Sequence, residues 1–228
     1  GAVAPVRFSV ERGFYEAPFT VELATDTVDA TIRYTTDGSE PTESNGTTYT
    51  EPISIQDTTL LRAAAFKPGF IPAPATTQSY LFLPDILDQF PDTTSLAANL
   101  QQSFGTAIVQ TAKAADLTAA ENALSEGLLS IPSVSLVTDT QSQASFYSQP
   151  AKSGWESEQP ISVELIYPDG SSPGIQVNAG IRPFGAAEVS TAKQSFRLFF
   201  RGEYGSTNFE YPLFPDSPVE SFDTLVLQ

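Results

Sequence analysis

Between Val6 and Phe82, short runs of alternating apolar and polar residues are separated by turn residues. This pattern predicts six strands: Val6–Val10, Phe19–Ala24, Thr31–Thr36, Ile53–Ile55, Leu60–Phe66 and Thr76–Phe82. The clearest run is Ala30-Thr-Ile-Arg-Tyr-Thr-Thr-Asp37. Its Ile32 and Tyr34 fall on one face, and Thr31, Arg33 and Thr35 on the other, as in a strand with one face in a core. Asp37-Gly-Ser-Glu-Pro41 then ends the run. Glycine accepts positive φ, and an aspartate can bond the backbone two residues on, so this segment is a turn. Short strands at this spacing predict a small β-sandwich.

From Pro84 to Ser130 the alternation disappears and Ala, Gln and Leu dominate. Leu96, Leu100, Phe104 and Ile108 recur every four residues and predict one amphipathic helix, weakened in the middle by Gly105. Thr118-Ala-Ala-Glu121 has the form of a capping box. A second helix is predicted from there through Leu124 and Leu128, ending before Pro132. These stripes are read as packing surfaces rather than partner grooves.

The two-residue period returns from Ile131, predicting strands over Val134–Thr138, Ile161–Tyr167, Gly174–Arg182, Gln194–Arg201 and Thr224–Leu227. Tyr167-Pro-Asp-Gly-Ser171 is a hairpin signal between two of them. The expected fold class is mainly β with an α+β second half. The expected organisation is a sandwich over 1–83, a helical connector over 84–130, and an antiparallel sheet with helices on one side over 131–228.

Charge narrows the function classes. The 228-residue chain has 11 Lys+Arg against 27 Asp+Glu, a net charge of −16. That balance argues against general nucleic-acid or anionic-membrane binding, both of which need a basic footprint. No run of 18 apolar residues and no charged-then-apolar leader is present, so no membrane span or retained signal peptide is expected. With no Met in the chain, Gly1 reads as a trimmed start. Cys and His are also absent, which removes disulfides, thiol chemistry, Ser-His-Asp and Cys-His catalysis and the usual zinc sites. A metal would have to be a hard cation held by oxygens.

Against this acidic background, Lys193-Gln-Ser-Phe-Arg-Leu-Phe-Phe-Arg201 concentrates three cations in nine residues. On a strand, Lys193, Ser195, Arg197, Phe199 and Arg201 share one face, and Gln194, Phe196, Leu198 and Phe200 the other. The apolar side reads as the core face. The cationic side is either a solvated outer face or the wall of a site for an anion.

Two stretches carry a family resemblance. Pro18 to Phe82 resembles the chitobiase carboxy-terminal, or fibronectin-type-III-associated, module. The resemblance rests on Ala30 to Thr42, on Tyr49-Thr-Glu-Pro-Ile53, and on Leu61-Arg-Ala-Ala-Ala-Phe-Lys-Pro-Gly-Phe70. It implies an immunoglobulin-like sandwich that acts as an accessory domain in secreted bacterial proteins, without catalysis. Tyr34, Tyr49 and Phe70 are the candidates for a sugar-stacking surface, with packing in or beside the core as the alternative. Asn45-Gly-Thr47 has the form of a glycosylation acceptor and marks an exposed loop.

The second stretch, residues 130 to 228, resembles the opening of CotH-like domains of spore-coat proteins. The ordered matches are Ser130 to Asp139, Trp155-Glu156, Pro160 to Glu164, Gln176 to Arg182, Lys193 to Arg201, Glu203-Tyr-Gly205, Tyr211 to Phe214 and Phe222 to Leu227. The family is similar to an atypical, secretory-type protein kinase. The resemblance implies ATP and Mg²⁺ for the complete parent protein. It places Lys193 as the phosphate-facing cation, with Arg182 and Arg197 as secondary candidates, each arginine having a salt bridge as its alternative role.

Relatives carry a second basic residue and paired glycines after the matching arginine. Here the run is Arg182-Pro-Phe-Gly-Ala186, where Pro183 lacks an amide donor and the lone Gly185 makes a less permissive loop. The metal-binding and catalytic acids of the family lie beyond the matched segment, so no catalytic or metal residue is assigned. Asp139, Glu164, Asp216 and Asp223 lack metal-ligand spacing and read as turn, cap or solvated residues.

Two functions follow as expectations. In one, the chain is the phosphate-side part of an exported CotH-like protein and is catalytically incomplete by itself. In the other, it belongs to a structural or adhesive cell-surface, matrix or filament protein with protein or polysaccharide partners, or with self-association.

Overall fold

The computed structural model describes residues 1–87, 117–139, 142, 157–184, 195–214 and 216–227. The chain is mainly β. Its first strands are β1 (Arg7–Phe8), β2 (Gly13–Phe14), β3 (Phe19–Val21), β4 (Leu23–Ala24), β5 (Thr31–Thr35), β6 (Thr47–Thr48), β7 (Ile53–Ile55), β8 (Thr59–Phe66) and β9 (Thr76–Leu81). Helix α1 (Leu83–Leu87) and helix α2 (Leu117–Ser130) follow. The remaining strands are β10 (Ser133–Val137), β11 (Gln159–Ile166), β12 (Ile175–Phe184), β13 (Ser195–Phe199), β14 (Phe209–Glu210), β15 (Ser221–Phe222) and β16 (Thr224–Leu227).

The first nine strands form a β-sandwich. One sheet has the order β2-β9-β8-β5-β6, and the pairs β3-β7 and β1-β4 face it. Between them lie Val6, Val21, Leu23, Ile32, Ile53, Ile55, Leu61, Ala63, Ala65 and Tyr80 in one apolar cluster. The alternation in β5 works as expected, with Ile32 buried and Tyr34 packed against the cluster. The turn after it also follows its chemistry. Gly38 has φ +80°, and Ser39 N–H donates to Asp37 Oδ1 at 3.0 Å.

The predicted strand Phe19–Ala24 divides at Glu22, because β3 pairs with β7 whereas β4 pairs with β1. Only tertiary pairing distinguishes these halves, since Val21 and Leu23 are both buried. The two-residue strands β2, β6, β14 and β15 have no sequence signal of their own, being too short to show a period. The Leu96–Ile108 stripe lies outside the described residues. Helix α2 begins one residue before the cap pattern places it and ends ahead of Pro132.

Strands β10-β11-β12-β13-β16 form an antiparallel sheet in that order. The hairpin between β11 and β12 turns at Gly170, φ +65°, with Ser171 N–H donating to Asp169 Oδ1 at 3.0 Å. One face carries Ile161, Val163, Val177, Ala179, Ile181, Leu198 and the adjoining Phe200, and forms a second apolar cluster. Among the described residues, Phe209, Tyr211, Leu213 and Phe222 pack on it. Phe200 and Phe209 stack at 5.3 Å.

The opposite face of this sheet carries Ser135, Ser162, Glu164, Gln176 and Asn178 together with the buried Val137 and Ile166, and the sandwich sits on part of it. Glu164 was read as a turn, cap or solvated residue, and that reading is corrected. Its residue exposure is 0%. The period of β11 places Glu164 opposite the apolar cluster but cannot reveal that a second unit covers that side. Asp139 accepts from Ser142 N–H at 2.9 Å, and Asp216 and Asp223 are exposed.

Candidate functional site

The site candidate is the end of the face opposite the second apolar cluster, where β12 and β13 lie side by side. Their register sets Gly180 opposite Phe199, Arg182 opposite Arg197, and Phe184 opposite Ser195. Strand alternation sends these residues to the side away from Ile181, Leu198 and the second apolar cluster.

Two like charges directly opposite each other repel, so the pair needs another source of stabilisation. Each guanidinium lies over a ring. Arg182 Cζ is 4.5 Å from the Phe199 ring centre, and Arg197 Cζ is 4.1 Å from that of Phe184. Arg201 approaches Phe199 as well, at 5.0 Å, so this ring lies between two cations and is only 7% exposed.

Among the described residues, one carboxylate reaches the cluster. Glu158 precedes β11, its side chain is 1% exposed, and its Oε2 lies 3.2 Å from Arg201 Nη2. Gly180 makes room for it. A Cβ there would meet Glu158 Oε1 and would stand 2.6 Å from Tyr204 Cε2. Burial, and next the charge of Glu158, push the Tyr204 phenol up to about 12.

Salt bridges were the alternative role for the arginines. Arg201 makes one, whereas neither Arg182 nor Arg197 has an ion-pair partner among the described residues. Among the described residues, three guanidiniums and one carboxylate make up this patch, in a chain of net charge −16. Planar guanidinium forks on an aromatic floor suit the binding of a phosphate, sulfate or carboxylate. No group of three or more acidic side chains that could hold a metal occurs among the described residues.

Of the phosphate-facing candidates, the sheet brings Arg182 and Arg197 together, and Lys193 lies outside the described residues. Sequence reasoning missed Glu158, whose contact with Arg201 depends on the neighbouring strands. Pro183 sits inside β12 opposite Phe196, so the residue after Arg182 is strand and contributes no amide donor.

The sugar-contact candidates are dispersed. Tyr34 and Tyr49 pack on the sandwich core, while Phe70 is 38% exposed beneath Lys67 Nζ at 5.2 Å. No ring contact joins the three among the described residues. Asn45 is exposed, and its side-chain N–H groups donate to Ser39 Oγ at 3.1 Å and Glu40 O at 2.8 Å, bracing the loop between β5 and β6.

Compared with known proteins, the chain as a whole finds no match among curated proteins or solved structures. Its sandwich does have a match: residues 10–78 fit the family described as the chitobiase/beta-hexosaminidase C-terminal domain, a likeness that supports reading this part of the chain as a sandwich accessory module.

Proposed function

We propose that this chain is part of an exported multidomain protein in which an immunoglobulin-like accessory module adjoins the phosphate-side portion of a CotH-like, kinase-related domain. The observation that carries this reading is the opposed pair Arg182 and Arg197, buttressed by rings and without a carboxylate partner among the described residues. Two opposed guanidiniums with no described carboxylate partner repel each other, a cost that an incoming anion would offset. The ordered likeness of residues 130 to 228 to CotH-like domains makes the anion a nucleotide phosphate. In that role Arg182 and Arg197 hold phosphate oxygens, and Lys193, two residues ahead of Ser195 in the sequence, adds a third cation. ATP with Mg²⁺ would supply the transferable phosphoryl group, and the acids that hold the metal would come from outside the described residues.

The test is calorimetric titration of ATP, with and without Mg²⁺, into the intact parent protein and its Arg182→Ala and Arg197→Ala variants. Saturable binding that weakens in both variants supports the reading. Equal or absent binding in all three proteins rejects it.

A non-catalytic adhesive role is the second reading. It is favoured by Pro183, which withholds an amide from any phosphate, and by Phe184, which is 37% exposed beside Arg197. A ring and a guanidinium side by side suit an acidic polysaccharide. Binding of such a glycan, with no response to ATP, would select this reading.

A further inference from the structure

The outer face of β8 and β9 should be wet if the sandwich were a free-swinging accessory module. By register with Leu61, Ala63 and Tyr80, which point into the core, Arg62, Thr77 and Ser79 point outwards. Yet Arg62 is 6% exposed, and Thr77 and Ser79 are 0% exposed. What covers them is the face of the second sheet that carries Ser135 and Glu164.

The contacts are specific. Ser79 N–H donates to Glu164 Oε1 at 3.1 Å, its hydroxyl donates to Oε2, and Arg12 Nε stands 3.1 Å from Oε1. Ser79 Oγ also meets Ser135 Oγ of β10 at 2.8 Å. One turn of the sheet away, Gln176 donates to Asn178 Oδ1 at 2.9 Å, and Asn178 Nδ2 donates to Ala75 O at 2.9 Å. At the other end Arg62 Nη1 donates to Gly38 O at 3.0 Å, and Gly38 itself abuts the Thr138 carbonyl. Gly205, in the loop after Arg201, abuts Pro74.

A carboxylate out of water is tolerated only when donors replace its hydration. Here the donors come from the sandwich, through Arg12 and Ser79, while the carboxylate comes from the second sheet. Separating the units would leave Glu164 bare of these partners and would strip the buried side chains of Arg12 and Ser79 of theirs. The joint therefore combines these polar contacts with apolar burial: Val137 and Ile166, each 1% exposed, share the face of Ser135 and Glu164 by register, and Val137 lies beside Gly38 of the sandwich.

We propose that residues 1–82 form a fixed wall of the second sheet rather than a mobile appendage, and that Glu164 is the side chain that pins them. The two sheets are then one cooperative body. Partners of the sandwich must use surfaces other than its β8–β9 face. This inference is independent of which anion, if any, the arginine pair holds.

Native-state hydrogen exchange of the full chain under rising denaturant tests it. The amides of Thr76–Leu81 and Gln159–Ile166 should merge onto one unfolding isotherm. Two separate isotherms, with one strand protected while the other exchanges, would overturn the proposal. A double-mutant cycle of Ser79→Ala and Glu164→Gln tests the pin itself. The double variant should raise the unfolding constant by about tenfold less than the product of the single effects. Strictly multiplicative effects would remove Glu164 from that role.

Discussion

Gly38 and Thr138 approach so closely that a Cβ on Gly38 would stand 2.6 Å from the Thr138 carbonyl oxygen. The same glycine has φ +80° in the turn that follows β5. One residue thus serves the local turn and the joint between the sandwich and the second sheet. Gly38→Ala should cost at least about 1–2 kcal/mol from backbone strain alone. The backbone clash adds to this, and the Arg62–Gly38 bond should loosen. Chemical denaturation, with exchange of the Thr138 region as a local probe, would show both effects.

The pH response of Glu164 has a definite sign. Burial is the leading cause that raises its pKa, against the lowering effects of Ser79, Arg12 and Ser135. A carboxyl that prefers its proton when folded contributes stability below its unfolded pKa. That contribution is lost as pH rises through the folded value. The stability of the wild type relative to Glu164→Gln should therefore increase on acidification from neutral pH toward the ordinary glutamate range. A difference that stays flat or falls on acidification would contradict this. Arg12, Arg62 and Tyr80 are the other ionisable groups that face Glu164, and all are common to both proteins.

Removing the carboxylate outright should be harsher. Glu164→Ala leaves the Arg12 guanidinium without its buried partner, and breaking such a pair costs about 3–5 kcal/mol. The loss should appear in the unfolding of both sheets, as read by denaturant melts with strand-resolved exchange.

Gly180 is held open by its neighbours on the face it shares with Arg182. Gly180→Ala would drive a methyl group into Glu158 and Tyr204, with overpacking of about 1–3 kcal/mol unless the loop moves. If Tyr204 is displaced, its phenol should titrate below its present value of about 12. Ultraviolet titration of the tyrosines would register that change.

Tyr34 and Phe70 separate packing from surface roles. Tyr34→Ala should destabilise the sandwich by about 3 kcal/mol, because its ring packs on the apolar cluster. Phe70→Ala, at an exposed position, should change the melting temperature little. If Tyr34→Ala left stability unchanged, the ring would be free for a surface partner.

The strands of β5, β8, β9, β11, β12 and β16 are legible because each is long enough to show a two-residue period. The turns at Gly38 and Gly170 are legible because only particular residues satisfy their dihedral angles. The faces of Arg197 and Leu198 also follow from alternation. The switch at Glu22, the cover provided by Phe209 and Tyr211, and the role of Glu158 are not legible in the same way. Each depends on a strand or loop distant in the chain.

By itself, the sequence determined the β character, the accessory-module pattern and the cationic side of β13. The tertiary structure decided what lies over each face. It set Arg182 opposite Arg197 with no carboxylate partner among the described residues, and it turned Glu164 from a solvated acid into the buried centre of a joint. The physical reason is that periodicity fixes the side to which a residue points, while burial and charge pairing depend on what another part of the chain brings to that side.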